Sequence, residues 1–131
     1  MEIEQKLALI EHRIKKSKDT SDEAMLAFTN TRFGLALNRV YYSIFYIISA
    51  LSVKFDFSTS KHKQLMGWFG HNFVKDGIVE RKLFEIYKKA YDNRQESDYG
   101  DFVVYEEQEV KEQIDDMLIF IAEIEKLFKK A

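Results

Sequence analysis

Val40-Tyr-Tyr-Ser-Ile-Phe-Tyr-Ile-Ile-Ser-Ala-Leu-Ser-Val53 is a run of 14 uncharged residues closed by Arg39 on one side and Lys54 on the other. A membrane span needs about 18 or more apolar residues, so the run reads as a core helix, extending from about Phe33 to Phe55. A helix that is apolar on nearly all sides is central in a bundle or covered by a second subunit. What lies around it must therefore supply apolar faces.

The flanking sequence does so. Ile3, Leu7, Ile10 and Ile14 step by four, three and four, the spacing of one helix face. The stripe continues through Ser17, Ser21, Ala24 or Met25, and Phe28, which predicts one long helix to about Asn30. Beyond the central run, Ser58, Thr59 or Ser60 is placed to cap a short helix through about Val74, and Asp76-Gly77 signals a turn. A fourth helix is expected from about Val79, with its stripe at Val79, Leu83, Ile86 or Tyr87, Ala90 and then Arg94, ending at Tyr99-Gly100-Asp101. The last, about Glu106 to Lys130, has Val110, Ile114, Met117, Leu118, Ile121 and Phe128 on one stripe. It starts acidic and ends basic, as the helix dipole favours. Only Phe102 to Tyr105 has a strand-like pattern, and one short run makes no sheet.

Composition agrees. The 131 residues include no proline, 5 glycines, 11 Phe and 7 Tyr, which favours long helices around an aromatic core. The expectation is an all-α, antiparallel up-down four-helix bundle with an additional short helix, a single domain over residues 1–131. Zero cysteine removes thiolate catalysis, disulfides and zinc-thiolate sites. Neither a Glu-x-x-His pattern nor a His pair at i,i+4 is present, so no metal and no cofactor is expected. The net charge of −2 provides no global field for nucleic acid or membrane, so any such binding must be local. The charged N-terminal stretch is not a signal peptide, and a cytoplasmic protein that does not engage membrane is expected.

Three polar clusters interrupt these apolar patterns: Asn38-Arg39 with Tyr41-Tyr42, Lys61-His62-Lys63, and Arg94 with Asp98-Tyr99. A buried arginine costs several kcal/mol of desolvation unless a partner or ligand compensates it. Arg94 and Asp98 stand at i,i+4, where they can form a structural ion pair; equally, Arg94 can line a cleft and hold a phosphate in its guanidinium fork, with Tyr99 supplying a hydroxyl or a stacking face. Arg39 either snorkels or pairs with a neighbouring helix, and Asn38 can cross-link helices through its amide. His62 at a helix start either belongs to an anion-binding first turn or is simply solvated, the commoner case. His12 reads as exposed and His71 as packed.

Taken in order, DEAMLAF, LALNRVYYSIFYIISAL, SKHKQLMGWFGHNFVKDG and YDNRQESDYGDF resemble the HEPN family (higher eukaryotes and prokaryotes nucleotide-binding), in its minimal stand-alone prokaryotic branch, over roughly Ser21 to Phe128. The resemblance rests on the Asn-Arg-x-Tyr-Tyr element, the Lys-His pair and the Arg-x-x-x-Asp-Tyr element together. It implies a helical bundle, a homodimer, and a toxin–antitoxin-like pair with a minimal nucleotidyltransferase. Many members are metal-independent RNases whose motif is an Arg followed, after four to six residues, by a His. After Arg94 those positions hold Tyr99, Gly100 and Asp101, and no other arginine has a His at that spacing. Neither Tyr nor ionised Asp replaces imidazole as an acid–base group near neutrality. The expected function is thus nucleotide or RNA binding or regulation through Asn38, Arg39, Tyr42, His62, Arg94, Asp98 and Tyr99. The alternatives are an endoribonuclease toxin in which His62 approaches from elsewhere, and a purely structural helical interaction protein.

Overall fold

The computed structural model describes residues 1–99 and 104–129, the side chains of residues 95–99 excepted. Five α-helices follow one another: α1 (Ile3–Thr29), α2 (Phe33–Lys54), α3 (His62–Phe69), α4 (Arg81–Tyr99) and α5 (Glu107–Phe128). Helix α2 touches all four others. Ile44, Ile47, Ile48 and Leu51 on it have no exposed surface. Each such side chain gains about 1.5–3 kcal/mol on burial, an upper figure because the unfolded chain is itself partly collapsed. At 22 residues α2 is long and apolar enough to cross a membrane by length and composition, yet most of it is spent inside the bundle.

Helices α1 and α2 form an antiparallel hairpin, with contacts in reversed order: Phe28 meets Phe33, Glu23 meets Arg39, Ser17 meets Ser43, and Lys6 meets Asp56. At mid-seam Ser17 Oγ donates to the Ser43 carbonyl at 2.7 Å and Ser43 Oγ returns the bond to the Ser17 carbonyl at 2.8 Å. Both serines are fully buried, so small side chains bring the backbones close and satisfy their own hydroxyls in doing so. Helix α5 runs parallel to α2: Tyr105, just before it, packs on Gly34, and Lys54 Nζ donates to the Leu127 carbonyl at 3.0 Å. Helix α4 runs the other way, its start beside the end of α5 and Asn93 beside Val110. The architecture is the expected up-down bundle with α3 as the extra short helix.

Several local expectations change. Ile3 and Leu7 are 75% and 55% exposed, because α1, about 40 Å long, overhangs α2 at about 33 Å. Leu118 is exposed, while Gln113, Phe120 and Ile124 join the expected Val110, Ile114, Met117 and Ile121 in the interior. No side chain caps α3 in the ordinary way; Thr59 accepts the Lys61 N–H at 3.1 Å and hydrogen-bonds Gln64. The short helix does not continue as α-helix to Val74 but opens at Gly70–Val74 into a π-helical turn. There Phe84 lies so close that a Cβ on Gly70 would sit 2.7 Å from its ring. Helix α4 starts at Arg81, since Val79 turns its N–H to Phe73 in the preceding turn, where Gly77 takes φ +75°.

The seam and the overhang should respond differently to substitution. Ser17→Val overfills the α1–α2 contact and is expected to cost ~1–3 kcal/mol in urea unfolding. Ile3→Ala should stay within ~0.5 kcal/mol of the parent. Equal effects would contradict this assignment of the interior.

Candidate functional site

Because α4 is antiparallel to α2, its second half lies beside the first half of α2, where Asn38 to Tyr46 leave a partly exposed strip. Tyr42 is the centre of this strip. Arg39 holds its guanidinium carbon 5.3 Å from the Tyr42 ring centroid, and Arg94, reaching across from α4, holds its own at 5.6 Å. Arg94 Nη2 also donates to Tyr42 Oη at 3.1 Å and sits 5.7 Å from the Tyr41 ring. Asn38 Oδ1 accepts from Arg39 Nε and Nη2 at 3.1 and 2.8 Å, and Glu23 of α1 receives Nη1 at 3.3 Å. Asn38 therefore aims the neighbouring guanidinium.

His62 enters from the first residue of α3. Its ring stacks on Phe45, with centroids 4.2 Å apart and planes 14° from parallel, and its Nδ1 lies 2.8 Å from Tyr41 Oη. In the tautomer protonated at Nε2, the Tyr41 phenol donates to Nδ1 and the Nε2–H is left for a ligand. Tyr91 of α4 packs edge-on against Tyr41 at 5.8 Å. The result is a half-buried aromatic floor carrying two guanidiniums and an imidazole. Two Lys flank it at positions 61 and 63, both exposed.

Burial, and after it the positive charge of Arg94, hold the His62 imidazole below the ordinary histidine value of 6.5. Burial likewise pushes the Tyr41 phenol well above its ordinary range, with Arg94 opposing. Near neutrality both groups are uncharged, and the site's charge resides on its arginines.

A family model described as the HEPN domain matches residues 10–127. The chain belongs to this family. A UPF0332 protein of Thermotoga maritima is 36% identical over 125 residues, 95% of either chain. Two Methanocaldococcus jannaschii proteins, each named "putative toxin", are 29% and 27% identical, covering 92% and 78% of this chain and 90% and 69% of their own.

Within this HEPN fold Asn38, Arg39, Tyr42, His62 and Arg94 come together, although they derive from three helices. The side chains of Asp98 and Tyr99, and with them the expected Arg94–Asp98 pairing, lie outside the described residues. His62 is not the solvated residue that its basic neighbours suggest, because the aromatic surface of α2 receives it. His71, read as packed, is exposed. Sequence reasoning left Tyr41 out of the site and missed Phe45 and Tyr91. The adjacent Tyr41-Tyr42 pair was a signal, whereas Phe45 and Tyr91 pass for ordinary core positions. Among the described residues no three His, Asp or Glu side chains converge as metal ligands.

The His62 environment has a measurable sign. Its folded-state value is depressed, so the unfolded chain takes up the proton first, and stability present above pH ~6.5 is lost as pH falls through the lower folded value. In NMR titrations His62 should have its midpoint below 6.5, moving upward in Arg94→Ala but not fully, since burial remains. A midpoint above 6.5, or a downward move in that variant, would contradict the geometry.

Proposed function

We propose that the face built from Arg39, Tyr42, His62 and Arg94 binds the phosphate of a nucleotide or RNA, and that the protein is the toxin-like or regulatory member of a pair with a minimal nucleotidyltransferase, acting as a homodimer. The observation that carries the reading is the placing of two guanidiniums from different helices on one tyrosine ring. Glu23 meets only one nitrogen of Arg39, and an anion between the two guanidiniums would use their fork geometry. Partly exposed aromatic rings beside the arginines, Tyr42 and Tyr46 among them, give a base an apolar surface to rest on. The toxin names of two relatives support the biological side of the reading.

One observation favours a second reading, an RNase. The linear Arg–His motif is absent, yet His62 and Arg94 both meet Tyr41, His62 Nδ1 at 2.8 Å from its hydroxyl and the Arg94 guanidinium at 5.7 Å from its ring. A neutral imidazole beside a guanidinium is a base next to a stabiliser of phosphoryl charge.

Binding of uridine monophosphate and of a short RNA to the purified protein tests the first reading. Arg94→Ala should weaken both by about ten- to a hundredfold, the ~1.5–3 kcal/mol of a hydrogen bond to a charged group. Its melting temperature should hold or rise; a purely structural arginine would instead cost ~3–5 kcal/mol of stability. Under the second reading, RNA cleavage falls by about 10²–10⁴ in His62→Ala. Absence of cleavage across pH removes that reading and leaves the first untouched.

A further inference from the structure

The strip on α2 does not end at Tyr42. One turn further on, Tyr46 lies 5.9 Å from the Tyr42 ring, and Lys16 of α1 places its ammonium 4.6 Å from the Tyr46 centroid. Lys16 is exposed and forms no ion pair with the described residues, although Lys15 and Lys18 beside it are both paired with carboxylates. The next turn of α1 brings Arg13 to the Ser49 carbonyl at 3.2 Å. Cations therefore recur along the α1–α2 seam, with Arg39 (and Arg94 reaching in from α4) at one end, Lys16 about two helical turns further on, and Arg13 one turn beyond it. Glu23, on Arg39, marks the far end.

On this basis, and resting on the phosphate-binding reading above, we propose that Lys16 on Tyr46 is a second phosphate subsite, which makes the ligand a single RNA strand laid along the seam. A lysine left alone is a mobile point charge; over an aromatic face it is held in register with the first subsite. Arg39 to Tyr46 spans about 10 Å of helix, roughly three times the ~3.4 Å rise per nucleotide of a stacked strand. The phosphates of a nucleoside triphosphate share bridging oxygens and lie too close together to reach two subsites about 10 Å apart. A second copy of the chain fits the strip less well, since an isologous contact centred on it would face one cationic strip with another.

The test compares uridine monophosphate with a short oligouridylate on the full-length protein over a range of salt concentrations, for the parent, Lys16→Gln, Tyr46→Leu and Arg94→Ala. Lys16→Gln changes an exposed side chain and leaves the core intact. It should weaken the strand about fivefold at low salt and reduce its log–log salt slope by about 0.7, the value for one phosphate on a single strand. Monophosphate binding should stay unchanged, and Tyr46→Leu should follow Lys16→Gln. An unchanged strand affinity and slope in Lys16→Gln, with both ligands weakened in Arg94→Ala, would overturn the second subsite and leave the first standing. Failure of the parent to bind either ligand would remove both. A change in sedimenting mass with RNA binding intact would identify the strip as a protein interface and also overturn the proposal.

Discussion

The enclosure of α2 governs the rest of the molecule. Its Ile44, Ile47, Ile48 and Leu51 have no exposed surface, and no single neighbouring helix is wide enough to cover a helix apolar around most of its circumference. Helices α1, α4 and α5 therefore surround it, with α3 closing the remaining gap. The serine pair at the α1–α2 seam lets one wall approach closely, because side chains this small separate the backbones little and return their hydroxyls to carbonyls. What the walls leave uncovered is a narrow strip of α2. Every side chain proposed to meet a ligand is on that strip or leans over it.

The strip also shows how this protein handles charge at a half-buried surface. Arg39 is steadied by an amide, a carboxylate and a ring, and Arg94 by a phenol hydroxyl and two rings. Aromatic faces stabilise a guanidinium without removing its charge. The same surroundings keep His62 and Tyr41 uncharged near neutrality.

Membership of the HEPN family over residues 10–127 gives the fold a context, while the details of the site belong to this sequence. An arginine near the end of α4 with no histidine at the family spacing leaves the sequence-local acid–base pair incomplete. The imidazole near that arginine comes from the start of α3, through the stacking of His62 on Phe45.

Periodicity, with cap and turn residues, determined the helices and their order and marked α2 as a helix to be covered on nearly all sides, because burial of an amphipathic stripe depends on residue spacing within one segment. The exposed start of α1 escaped this reading: a stripe reports which face is apolar, and the length of the neighbouring helix decides whether that face is covered. The arginines announced themselves as charges on inward stripes. Their convergence on Tyr42, the docking of His62 on Phe45 and the resting of Lys16 on Tyr46 depend instead on residues distant in the chain. Such contacts are set by how helices pack against one another, and tertiary structure alone decided them.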